Sequence, residues 1–202
     1  MRVVRSILAA VLAAVVVVAG CDQAAEPLAP DVALAPQSVL VPGTDGKTYT
    51  LVEGQLRTTK RSASAWIGPL GGTLILPGEN RGDLLPSFHS IVVPPLAVLK
   101  PTLFTISIAS DKYISVDLRA QEKTLFGLKD VGHKGFNLPV VLWLSYAEAT
   151  NLVNVDLSGL TILHDPENGQ PFEPVPSLVQ LGVHKYVIGT LFHFSKYAMA
   201  VD

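Results

Sequence analysis

From about residue 46 onward, apolar and polar residues alternate along much of the chain, and no long window shows apolar residues at helical spacing. The clearest stretch is 90–108. Ile91-Val92-Val93 runs into Pro94-Pro95, and neither proline has an N–H to donate to a sheet ladder, so a strand must end there. After Pro101 the alternation resumes, with Phe104, Ile106 and Ile108 on one face and Leu103, Thr105 and Ser107 on the other. The pattern predicts a strand, a proline-stopped corner and a second strand, with the rest of the domain built to cover the pair.

The same period of two predicts further strands. Thr48-Tyr49-Thr50-Leu51-Val52 follows the turn dipeptide Asp45-Gly46. Leu74 and Leu76 follow a glycine-rich stretch (Gly68-Pro69-Leu70-Gly71-Gly72) and are candidates for a core. Ile114, Val116 and Leu118 share one face, opposite Tyr113, Ser115 and Asp117. Residues 139–146 are apolar on both faces, as expected of a strand at the centre of a sandwich. Residues 147–152 are expected to make a single helical turn, and 160–164 another strand. Residues 178–183 and 186–191 form an expected hairpin around His184-Lys185, and 192–201 reads as the last strand. With 16 glycines and 15 prolines punctuating it, the pattern predicts an all-β domain, an antiparallel β-sandwich over 46–202.

The first 45 residues follow other rules. Arg2 and Arg5 precede an uninterrupted apolar run over 7–18, too short for a comfortable membrane-spanning helix but right for a secretory signal. Val18-Ala19-Gly20-Cys21 then sets small residues before the sole cysteine of the chain, which rules out an intramolecular disulfide. This layout closely resembles the lipobox of bacterial lipoproteins. The resemblance implies a signal peptide over 1–20, a diacylglyceryl thioether on Cys21, and a protein held on a membrane of the bacterial cell envelope. Several acyl chains make a stable anchor where one would be marginal. Asp22 resembles the inner-membrane retention signal of enteric bacteria. Residues 21–45 are rich in alanine and proline and read as a tether. At about 3.1 Å per residue, roughly 20 such residues would reach about 60 Å from the bilayer.

Charge and motif content narrow the chemistry. The net charge is −2 and the basic residues are scattered, which argues against a nucleic-acid partner. The one basic run, Arg57-Thr58-Thr59-Lys60-Arg61, reads as a solvated segment. Arg81-Gly82-Asp83 matches an integrin-binding tripeptide, here taken as a chance occurrence in a polar loop. There is no Gly-x-Ser-x-Gly elbow, no phosphate-cradling loop and no paired metal-binding histidines. His89, His133, His164, His184 and His193 are scattered, so no metal site and no cofactor are expected. Asp165, Glu167 and Asn168 carry calcium-type oxygens but read as a plain turn.

Four patches, taken in order, are similar to the ZU5 domain of ankyrins, netrin receptors and death-domain proteins, and to ZU5-like modules of bacterial lipoproteins. They are Ile67-Gly68-Pro69-Leu70-Gly71-Gly72-Thr73-Leu74, then Val92-Val93-Pro94-Pro95, then Phe136 with Pro139-Val140, and last His193-Phe194-Ser195-Lys196-Tyr197-Ala198. The family usually follows the proline pair with Gly-Ala-Leu, where this chain has Leu96-Ala97-Val98, a difference that bears on how the corner turns. The resemblance implies a β-sandwich whose role is non-catalytic binding or scaffolding, most plausibly of another envelope protein. It also raises a rival, because some ZU5-containing proteins cleave themselves at His-Phe-Ser. In a strand, His193 and Ser195 would share a face, with His193 placed to take the serine proton. The serine oxygen would then attack the Phe194 carbonyl, and hydrolysis of the ester would cut between Phe194 and Ser195. The leading expectation is an ordinary strand with Phe194 in the core.

Overall fold

The computed structural model describes residues 38–54, 61–78, 88–180 and 185–202, all within one compact unit, Gln37–Asp202. Cys21 with the expected signal peptide, most of the expected tether, residues 55–60, Arg81-Gly82-Asp83 and His184 lie outside the described residues.

Among the described residues every long element is a strand, as the alternation demands. In chain order these are β1 (Leu40–Pro42), β2 (Thr48–Leu51), β3 (Ser62–Ile67), β4 (Gly72–Pro77) and β5 (Phe88–Val93). Then come β6 (Thr102–Ile108), β7 (Ser115–Thr124), β8 (Gly127–Asp130), β9 (Val140–Ser145) and β10 (Leu160–Asp165). The chain closes with β11 (Glu173–Val175), β12 (Ser177–Gln180), β13 (Tyr186–Leu191) and β14 (Lys196–Val201). They form two antiparallel sheets packed as a sandwich. The smaller runs β12-β13-β9-β5-β4; the larger runs β1-β2-β14-β7-β6-β3, with β8 beside β7 and β10-β11 beside β14. Two short 3-10 turns, Gly132–Lys134 and Leu157–Gly159, interrupt the loops.

The inward faces are those the alternation marks. Phe104 and Ile106 of β6, and Val116 and Leu118 of β7, meet Leu74 and Leu76 of β4, Ile91 and Val93 of β5, and Leu142 and Leu144 of β9 in one core. β9 lies at the centre of its sheet, and its outward Trp143 stacks edge-on against Tyr186 of β13. Burial of this apolar area, at about 25 cal/mol per Å², is the main source of stability. With its own closed core and both sheets, Gln37–Asp202 meets the criteria of a unit that folds alone.

The expected strand, corner and strand are present: β5 pairs with β4 and β9, and β6 with β3 and β7, so the corner crosses between sheets. Two sequence expectations change. The folded unit begins before residue 46. β1 pairs with β2, and Val41 enters a second apolar cluster with Tyr49, Leu51 and Leu163. Pro42 hid this strand, because proline is admissible at a sheet edge, and β1 is an edge. Residues 147–152 form one hydrogen-bonded turn, Ala149 N–H to Tyr146 O at 3.1 Å, and then a bridge to Gly54 rather than a helix.

Candidate functional site

The last strand starts at Lys196, so His193-Phe194-Ser195 is a bend between β13 and β14 and not part of a strand. His193 and Ser195 therefore do not lie on one face of a strand. The Phe194 N–H donates to Gly132 O at 3.0 Å, and Leu118 N–H donates to Ser195 O at 2.9 Å. Those two bonds pin the backbone on both sides of the Phe194–Ser195 peptide. Among the described residues, non-glycine positive φ angles fall at Leu96, Asn154, Glu167 and Lys185, none of them in the bend. Phe194 is buried, edge-on to Phe136 (4.7 Å between centroids) and to Phe104 (5.5 Å).

The His193 side chain belongs to a different cluster. Antiparallel pairing of β10 with β14 sets His164 opposite Tyr197, and the bend folds His193 onto both. The two imidazoles meet edge to face at 4.7 Å. His164 Nδ1 lies 3.0 Å from Glu173 Oε2 on β11, and the buried Tyr197 hydroxyl donates to the His193 carbonyl at 2.7 Å. A tyrosine near the start of a strand, bonded to backbone four residues upstream, is the tyrosine-corner arrangement of β-sandwiches. A cleft of about 160 Å³ opens here, bounded by His164, Glu173, Pro176, Phe192, His193 and Tyr197.

Burial holds the His193 imidazole below its usual pKa, and the neighbouring His164 adds to this while Glu173 opposes it. Burial also holds the Tyr197 hydroxyl protonated well beyond its ordinary range. Burial thus favours the neutral form of the His193 imidazole, and the Tyr197 hydroxyl beside it is committed as a donor that fixes the bend. Because the native-state pKa of His193 is depressed, the unfolded chain binds that proton more readily, and stability falls as pH drops below 6.5. Urea titrations of wild type and His193→Gln at pH 7.5 and 5.5 should show the wild type losing more. Equal losses would mean that this imidazole does not carry the effect.

The other candidates are distributed. His89 is buried and accepts from Ser145 N–H at 3.2 Å, and His133 sits 3.6 Å from Asp130. Asp165 and Asn168 close the predicted turn by accepting backbone N–H groups of Glu167 and Gln170, while Glu167 pairs with Lys196 at 2.7 Å. Among the described residues, no three His, Cys, Asp or Glu side chains converge as metal ligands would. The meeting of His164 with His193 escapes sequence reading because it depends on the β10–β14 register. Compared with family models, with characterised proteins and with solved structures, the chain matches none.

Proposed function

We propose that this chain is a bacterial envelope lipoprotein, anchored through Cys21 and displaying a non-catalytic, ZU5-like β-sandwich that binds or scaffolds another envelope protein. The observation that carries the anchor is the sole cysteine, placed directly after Val18-Ala19-Gly20 at the end of an apolar leader. Support for a structural role of the family-like patches comes from their convergence. Leu96 N–H donates to Pro69 O at 2.8 Å, and Phe136 N–H donates to Phe192 O at 2.9 Å. Phe136 also packs on Phe194. All four patches thus meet at one end of the sandwich, as a packing signature would.

The rival is self-processing, with His193 as base and Ser195 as nucleophile. Intact mass under denaturing conditions separates the two. Residues 37–202 and the Ser195→Ala variant are both expected to remain whole. A wild type lacking 195–202, beside an intact variant, would replace scaffolding with autoproteolysis. The anchor has its own test. Expressed in a bacterium, the full chain should fractionate with membranes and carry acyl mass, and Cys21→Ser should lose both. A Cys21→Ser chain that kept acyl mass would sink the anchor assignment.

A further inference from the structure

One end of the sandwich gathers apolar side chains that no core uses. Ile67 pairs with Thr102, Gly72 with Val93 and Thr102 with Glu122, so the loops leaving β3, β5 and β7 emerge side by side. On their tips stand Leu70 (91% exposed), Leu96 (59%), Leu99 (69%), Leu125 (98%) and Phe126 (100%). Single exposed leucines are ordinary; five large apolar residues on adjacent tips are not.

Two of the displays are built. Leu96 has φ 65°, a left-handed conformation that is costly for any residue with a Cβ, and it gains little burial in return. Bonds from Leu96 N–H to Pro69 O and from Ala97 N–H to Pro94 O, at 2.8 and 3.2 Å, hold it there. Leu125 and Phe126 cap the β7–β8 hairpin, which runs past the last β6–β7 pair, Thr102 with Glu122. Thr124 Oγ1 donates to Gly127 O at 2.9 Å and stiffens that tip.

The charges around these tips are mainly positive. Lys100, Lys123, Lys129 and Lys134 are all exposed here. Of the two carboxylates among them, Glu122 faces Lys129 across the hairpin and Asp130 accepts the Gly132 N–H. A mixed cleft of about 300 Å³ between the corner and the 3-10 turn is lined by Leu99, Lys100, Glu122, Lys134, Phe136 and Asn137.

We propose that this end of the sandwich docks on an anionic lipid surface, sinking Leu125, Phe126, Leu96 and Leu70 into the boundary between headgroups and acyl chains while the lysines meet the headgroups. Separate, solvent-surrounded tips favour a bilayer over a folded partner, because a fluid phase surrounds each tip whereas a protein would need a matching pocket for each. The contact does not depend on a lipid at Cys21, so it stands or falls apart from the anchor.

The test uses residues 37–202, which lack Cys21, in sedimentation with vesicles of phosphatidylglycerol and phosphatidylethanolamine and with vesicles of phosphatidylcholine. Wild type should bind the anionic vesicles more tightly, and less so at high salt. Leu125→Ser with Phe126→Ser should weaken partitioning by about tenfold or more, from the apolar area lost. Leu96→Gly should also weaken it without lowering Tm, which separates display from folding. Wild type that stays in the supernatant, or a double variant that sediments like wild type, overturns the proposal. Capture of a protein through a cross-linker at Leu125→Cys, with no vesicle binding, overturns it in favour of a protein partner.

Discussion

Replacing Phe194 with alanine is expected to cost about 3–5 kcal/mol, the range for removing a well-packed phenylalanine from a core. Its ring meets Phe136 and Phe104 at 72° and 77°, and Phe104 is fully buried. Gly132 lies against the Phe194 Cβ, where an added Cβ would come within 3.0 Å, so this contact survives the substitution and the loss is that of the ring's packing. At about 2–4 °C per kcal/mol for a domain of this size, Tm should fall by roughly 10 °C. Ser195→Ala, at a half-buried site, should stay within about 0.5 kcal/mol of wild type. Urea and thermal unfolding of both variants measure this. If Phe194→Ala were as stable as wild type, the tripeptide would not be a packing element. The case for reading it as structure instead of chemistry would then fail.

The same tripeptide marks the limit of what was legible in the chain. Strand faces were readable because they depend only on neighbours in sequence. Phe104 and Ile106 are fully buried and Thr105 is not; Val116 and Leu118 likewise lie inward. Partners were not readable, because pairing depends on register between distant segments. Nothing in Ile91-Val92-Val93 or Phe104-Thr105-Ile106 says that their strands belong to opposite sheets. The alternation of His193, Phe194 and Ser195 mimicked a strand, yet Leu191 closes one ladder and Lys196 opens another. The chain must change sheets between them, and it does so through the bend that Tyr197 ties to the His193 carbonyl.

The start of the domain shows a second kind of blindness. Proline content placed 21–45 in a tether, and proline does weaken a central strand. At an edge it does not, since the missing N–H faces away from the ladder. β1 exploits this, placing Val41 inward between the exposed Leu40 and Pro42. The proline corner behaves differently again. The residue after Pro94-Pro95 has the backbone sign usually reserved for glycine, and a leucine occupies it. Composition alone gives no reason to expect an exposed leucine under backbone strain.

Gly71→Ala should be the most damaging small substitution at this end, costing about 2–5 kcal/mol. Gly71 has φ +74°, which a Cβ penalises by about 1–2 kcal/mol. The methyl group would also lie 2.5 Å from Val93 O and 2.8 Å from Pro94 C and Pro95 N, all backbone atoms that cannot swing away; such overpacking adds about 1–3 kcal/mol. Gly46→Ala supplies the comparison, for it has a similar φ of +82° and nothing within 4 Å of its added carbon. That variant should show the conformational penalty alone, about 1–2 kcal/mol. The difference between the two urea midpoints, converted with a common m-value, measures how rigidly the Gly71 turn is clipped to the Pro94-Pro95 corner. A large difference means the corner cannot yield, and the same rigidity holds Leu70 and Leu96 side by side at the surface. Equal losses would mean that the corner shifts freely, and the strained display of Leu96 would then lack the support on which a fixed docking surface depends.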